Sequence, residues 1–175
     1  AFGRVGRQVS QMTRLVDDLM DVSRITRGKI RIHRKPVNLC EILGTAIETI
    51  QPLIDEKQHT LLLEKVTIPI WVDGDLIRLS QIFSNIINNA AKYTPSGGII
   101  EVLITTFGGK VTITVKDNGE GIPTDKLETV FDMFSQVEGG IECSQGGLGI
   151  GLTLVKRLTE MHDGSVNVYS DGVGK

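Results

Sequence analysis

At 175 residues and 19.1 kDa the chain has room for one full domain and a short appended element. Hydrophobic residues at 40% and charged residues at 23% exclude wholesale disorder, collagen and a coiled coil throughout, and 5% aromatic residues leave too few rings for a nucleic-acid surface built on stacking. The net charge of −2 argues against phosphate-backbone neutralisation as the main work, but it is uneven: residues 1–35 hold nine Lys and Arg against three Asp, and the remainder ten against eighteen Asp and Glu.

Residues 5–27 are free of Pro and, after Gly6, of Gly. Val5, Val9, Met12, Val16 and Leu19 step by four and three, with Leu15, Val22 and Ile25 widening the stripe, which predicts a long amphipathic helix. Such a stripe must be covered by a partner helix, from this chain or a second protomer, or by the main domain itself. Gly28 stops the helix, and KIRIHRKPV, 29–37, reads as a short alternating strand. Asn38 then caps a helix that contains Pro52; strands are expected near 60–66 and 69–72; Asp75 caps a third helix that ends before Pro95. Residues 99–107 and 110–116, joined by Gly108-Gly109, carry the signature of an antiparallel hairpin. A Gly-rich, loop-rich stretch follows, then a helix near 149–162 and a strand near 165–169. Strands and helices mix without strict alternation, so the class is α+β. Cys40 and Cys143 have no metal-ligand spacing and read as free thiols in a reducing compartment; without a membrane-length apolar run or a signal pattern, the piece reads as soluble and cytoplasmic, although its parent could span a membrane.

Three local features carry chemistry. In IFSNIINNAAKY, Asn85 and Asn89 lie one helical turn apart with Lys92 further along the same side. Carboxamide oxygens can ligate a hard cation and the lysine can meet phosphate, although asparagines near a helix end also simply solvate it. DNGEGIP, from Asp117 to Pro123, follows a β-run: a carboxylate there can accept from an exocyclic amine while Gly119 and Gly121 let the backbone approach a flat base, and a tight turn is the plainer alternative. In QGGLGIGLTLVKRL, Gly146, Gly147, Gly149 and Gly151 open a helix whose free N–H groups attract phosphate, yet the run is neither GxGxxG nor a P-loop.

These three features, with VFDMFSQ at 130–136, resemble in order and spacing the N, first glycine, F and second glycine boxes of sensor histidine kinases. RLVDDLMDVSRITRGKI, 14–30, is similar to the second helix of the hairpin through which those kinases dimerise and transfer phosphate. The resemblance implies a two-layer α/β sandwich of the Bergerat ATP-binding type, a mixed sheet with helices on one face, preceded by the long helix. It divides the chain into residues 1–30, the end of the hairpin, and 31–175, the catalytic domain without its final strand. The activity implied is an ATP:protein-histidine phosphotransferase with ATP and Mg²⁺ as cofactors. Its implied partners are the phosphoacceptor helix and a response regulator receiver domain, and its parent a homodimer.

Carried over by position, the resemblance implies that Asp117 recognises the adenine amine, with Gly119, Gly121 and Ile122 forming the base pocket. Asn89 would hold Mg²⁺, supported by Asn85; Lys92 and Tyr93 would touch phosphate or ribose. Gly147, Leu148, Gly149 and Gly151 would close over the phosphates above Phe131 and Phe134. In ATP-hydrolysing relatives a glutamate that activates water stands where Asn85 is found, and Asn cannot serve as a base. That disfavours an ATP-driven clamp of the gyrase B, Hsp90 or MutL kind; a catalytically silent dimerisation or nucleotide-binding module is the other alternative. The family's H-E-x-x-[TN]-P acceptor segment does not occur in residues 1–175, and His33, His59 and His162 have other contexts, so a fragment unable to label itself is expected. Residues 127–155 contain no Lys or Arg, which implies weak, strongly Mg²⁺-dependent ATP binding.

Overall fold

The computed structural model describes residues 2–135 and 148–173. Helix α1 spans Phe2–Thr26. It ends in a Schellman cap: Gly28 N–H donates to Ile25 O and Lys29 N–H to Arg24 O, each at 2.8 Å, with Gly28 at φ +62°, where glycine carries no Cβ penalty. Strand β1 is Lys35–Asn38, α2 Leu39–Glu56, β2 Thr60–Leu63 and β3 Trp71–Gly74. Helix α3 spans Leu76–Tyr93, the hairpin is β4 Ile99–Phe107 and β5 Lys110–Asp117, and α4 is Gly151–Glu160.

Local chemistry explains most of these boundaries. Asn38 Oδ1 accepts from Cys40 N–H at 3.0 Å, and Asp75 Oδ1 from the N–H groups of Ile77 and Arg78, as N-caps do. Gly108 and Gly109 both have positive φ, +56° and +74°, the requirement of a tight hairpin turn. Two expectations need correction. Of the expected strand 29–37 only 35–37 forms, within β1, because its partner β3 is just four residues long; Ile32 packs instead against the α4 cluster. Residues 165–169 form no strand ladder, and Val166 likewise covers α4. Cys40 is an exposed free thiol; Cys143 lies outside the described residues.

The strands form two sheets, antiparallel β1–β3 and mixed β2–β4–β5, in which β2 runs parallel to β4 and β4 antiparallel to β5. Strand alternation sends Ile100, Val102 and Ile104 of β4 and Val111, Ile113 and Val115 of β5 inward, where they meet Ile42, Ala46 and Ile50 of α2 and Ile87 and Ala91 of α3. The outward positions Thr105, Thr112, Thr114 and Lys116 are exposed, so the helices cover one face only. A second cluster lies on the other side of α3: Ile82 packs with Ile150, Leu154, Val155 and Leu158 around α4 and with Val22 of α1. Helix α3 is therefore the shared wall of both cores.

The end of α1 is fixed to that wall by polar contacts as well. Arg78 Nη1 meets Asp21 Oδ2 at 2.6 Å and Gln81 Nε2 donates to the same oxygen at 3.0 Å. Further back along the helix, Met12, Val16, Leu19 and Met20 are exposed; the side chains of Val5, Val9 and Leu15 lie outside those described. Beyond α1, Arg34 donates to Asp163 Oδ2 at 2.6 Å and to Met161 O at 2.7 Å, tying the connector to the end of α4.

Candidate nucleotide site

The site runs along α3, whose start is set by Asp75. Burial pushes the Asp75 carboxyl up, but the N–H groups of His33, Arg78 and Ile77 and the charge of Arg78 outweigh it and hold the group below the usual carboxylate range. From this capped end the helix carries Asn85, Asn89 and Lys92 toward the loops after β5 and before α4.

At the C-terminal end of α3 lies the turn that follows β5. Asp117 is exposed, and its Oδ1 accepts from Gly119 N–H at 2.9 Å, an Asx-type closure that fixes the carboxylate over the turn. Gly119 is buried, and a Cβ there would stand 2.5 Å from Asp117 Oδ1 and 2.7 Å from Tyr93 O. Glycine is required at this position by contact. Gly121 is required by conformation instead, at φ +72°. The turn is pinned to α3 by Glu120 N–H donating to Tyr93 O at 3.1 Å, and to β4 by Ile99 N–H donating to Asn118 Oδ1 at 2.8 Å. Ile122 is half-buried, and its N–H donates to Ser170 Oγ at 2.9 Å. Asn118 and Ser170 carry parts of the pocket that sequence reasoning passed over. The Asp-Asn-Gly run hinted at the first; the second, 48 residues away from its partner, left no local signal.

One helical face away, Asn85 stands beside the opening of α4: a Cβ on Gly151 would lie 3.9 Å from its Cγ. Helix α4 starts after Ile150 without a side-chain cap, so the N–H groups of its first turn have no side-chain partner there. Gly149, at φ +68°, could bear no Cβ, which would meet Ser135 O at 2.5 Å. Phe134 N–H donates to Gly149 O at 3.1 Å, while its ring is exposed; Phe131 is half-buried and Leu148 exposed. Phe134 thus supports this loop through its backbone. Gly146 and Gly147 lie outside the described residues.

The polar groups between the two ends suit a cation shared with a ligand. Asn85 Nδ2 is a buried donor without a hydrogen-bond partner, open to a phosphate oxygen or a metal-bound water, and Asn89, one turn on, is half-buried. Among the described residues no group of three or more His, Cys, Asp and Glu could hold a metal ion. Neutral carboxamides fit Mg²⁺, an ion that keeps waters and phosphate oxygens as most of its ligands. Lys92 Nζ donates to Tyr93 OH at 3.0 Å and lies 4.6 Å from the Tyr93 ring centre, so the pair presents one ammonium and one phenol side by side. A separate cleft of about 470 Å³, lined by Trp71 and Phe107 among others, includes none of these residues.

Known proteins resemble this chain in sequence and fold. Residues 74–175 match the family described as histidine kinase-, DNA gyrase B-, and HSP90-like ATPase. Hybrid signal transduction histidine kinase D of Dictyostelium discoideum is 30% identical over 175 residues, covering 97% of this chain and 11% of the relative. Autoinducer 2 sensor kinase/phosphatase LuxQ of Vibrio parahaemolyticus is 33% identical over 162 residues, covering 89% of this chain and 19% of its own length. The chain therefore spans a fifth or less of these curated relatives. Among solved structures, full-length ShkA in complex with AMPPNP superimposes with a TM-score of 0.77 at 27% identity, over 93% of this chain and 33% of that one. With the family's own segment covering the helix, turn and loop that form the site, the chain belongs to the histidine kinase-, DNA gyrase B- and HSP90-like ATPases, and its relatives are sensor histidine kinases.

Proposed function

We propose that this region is the nucleotide-binding catalytic part of a sensor histidine kinase, with residues 1–30 as the end of the phosphotransfer hairpin and 31–175 as the ATP-binding domain. The observation that carries the reading is the placement along one helix of an anchored carboxylate at its C-terminal end and an uncapped, Asn-flanked helix start beside its middle. Asp117 accepts from the exocyclic amine of adenine, while Gly119 and Gly121 admit the base and Ile122 packs against it. The first-turn N–H groups of α4 and Lys92 meet phosphate oxygens. Asn89 holds Mg²⁺, with Asn85 supporting it; bound there, the ion neutralises phosphate charge.

The reaction is in-line transfer of the γ-phosphoryl group to an imidazole nitrogen. The imidazole lone pair forms the N–P bond as the bond from phosphorus to the β–γ bridging oxygen breaks, and ADP leaves with that electron pair. Positioning and charge stabilisation dominate such a step. Asn85 cannot remove a proton from water, so the site favours a protein acceptor over hydrolysis. The acceptor is a histidine on a hairpin helix of the same or a partner protomer, and the exposed stripe of Met12, Val16 and Leu19 suits pairing in a homodimeric parent. A receiver domain takes the phosphoryl group onward in the cytoplasm, whether or not the parent is membrane-anchored; no described helix is long and apolar enough to cross a membrane.

The test is incubation with γ-labelled ATP and Mg²⁺, with and without a separately supplied hairpin bearing the acceptor histidine. Acid-labile label on the hairpin and none on this chain is the expected result. Label released as free phosphate at the same rate without the hairpin contradicts it. With no Lys or Arg between 127 and 155, ATP binding is expected to be weak and to depend strongly on Mg²⁺, which nanomolar affinity in a chelator would refute.

A further inference from the structure

A helix leaves its last four carbonyls without partners inside the helix, and in α3 these belong to Ala90, Ala91, Lys92 and Tyr93. Each has its own donor. Thr94 N–H reaches Ala90 O at 3.0 Å. His59 Nε2 lies 2.9 Å from Ala91 O, and because a carbonyl only accepts, that nitrogen carries the proton. Lys57 Nζ donates to Lys92 O at 2.7 Å. The last carbonyl, Tyr93 O, takes Glu120 N–H at 3.1 Å, from within the turn that bears Asp117.

We propose that Lys57 and His59 are positioning residues for the base end of the nucleotide site, holding the helix end on which the Asp117 turn is registered. This rests on the nucleotide reading above. The corner between α2 and β2 is itself firmly placed: Gly97 N–H donates to Lys57 O and Thr60 N–H to Gly98 O, both at 2.9 Å. From that corner the two side chains reach back to the helix. His59 is only 8% exposed, with Nδ1 buried and unpartnered, so its place is set by the one bond to Ala91 O. The Lys57 ammonium sits at the negative end of the helix dipole. Remove both donors and the last turn of α3 holds two orphan carbonyls. Tyr93 O then loses its fixed position, and it stands 2.7 Å from where a Gly119 Cβ would be. Asn85 lies eight residues earlier, about 12 Å along the axis, so among the phosphate contacts only Lys92 shares this turn, and Asn85 and the start of α4 do not depend on the cap.

The experiment compares wild type with Lys57→Met and His59→Leu, using Lys57→Arg and His59→Gln as donor-restoring controls. Two readouts are taken: amide exchange at Glu120 in the nucleotide-free protein, and the affinities for a non-hydrolysable ATP analogue and for inorganic tripolyphosphate, both with Mg²⁺. In the wild type the Glu120 amide is protected. In each donor-less variant its exchange rises about tenfold more than that of Val102 in the sheet core, and ATP-analogue affinity falls about tenfold while tripolyphosphate affinity, which shares only Lys92 with this turn, falls about twofold or less. The conservative variants restore both. Equal acceleration at Glu120 and Val102, or an unchanged preference for the ATP analogue over tripolyphosphate, overturns the inference and leaves a merely structural cap. Wild type that fails to bind the ATP analogue overturns the nucleotide reading itself.

Discussion

The two ends of the candidate site, one at the C-terminal end of α3 and the other beside its middle, achieve a binding geometry by different means. At the base end the backbone is over-determined: Asp117 closes on Gly119, Glu120 on Tyr93, and Asn118 on Ile99, so the turn has hydrogen bonds on both sides. At the phosphate end the contacts are sparse, with Gly149 O accepting from Phe134, α4 starting uncapped, and Asn85 Nδ2 buried without a partner. A flat, uncharged base needs a wall of defined shape, whereas a charged phosphate chain needs donors that have not yet found acceptors. Unsatisfied groups at one end and satisfied ones at the other are two forms of preparation for one ligand.

The contrast is broken most severely at Gly119. Gly119→Ala places a methyl group against both the Asp117 carboxylate and the Tyr93 backbone carbonyl, and ATP-analogue affinity measured by calorimetry should fall about a hundredfold, with about 1–3 kcal/mol lost from stability. At the phosphate end the two glycines should separate. Gly149→Ala meets both a positive φ and Ser135 O, and should cost about 2 kcal/mol in denaturant unfolding. Gly151→Ala finds only ordinary contact with Asn85 and should change stability by no more than about 1 kcal/mol, in the favourable direction. Equal costs for both would mean that this loop is not held as described.

Smaller effects sharpen the account of α3 as the common wall. Asp75→Ala removes the N-cap and should cost about 1 kcal/mol at neutral pH. Because the Asp75 carboxyl sits below its ordinary range in the fold, its contribution is whole above the unfolded-state value and is lost as pH falls through the folded one. The gap in melting temperature between wild type and Asp75→Ala should therefore narrow in acid; a gap that widens would show the sign to be wrong. Smallest of all, Gln58 occupies φ +57° after α2, where Gln58→Gly should stabilise by about 0.5 kcal/mol in thermal unfolding.

What the sequence made legible was what neighbours in the chain decide. Asp75 and Asn38 announce their helices through their own side chains, and Gly108-Gly109 announces the hairpin through backbone freedom. The segment 29–34 misled because alternating Ile30 and Ile32 read as a strand, while a ladder needs a partner that only β3 supplies, and β3 ends at Gly74, opposite Lys35. Val166 and Val168 misled in the same way near the C-terminal end of the described residues. In the site, Asp117 and Gly119 could be read as a pair because they are two residues apart. The pairing of Glu120 with Tyr93, and of Lys57 and His59 with the carbonyls behind it, joins segments with no motif in common and needed three-dimensional placement.

The central claim is that Asp117 reads adenine through its amine, and competition between an ATP analogue and its guanine counterpart tests it most directly. Guanine offers a carbonyl where adenine offers an amine, so a carboxylate there should prefer the adenine nucleotide by about 10-fold to 100-fold, and Asp117→Asn should erase most of that preference. Equal affinity of wild type for both nucleotides, or a preference that survives Asp117→Asn unchanged, would contradict the account.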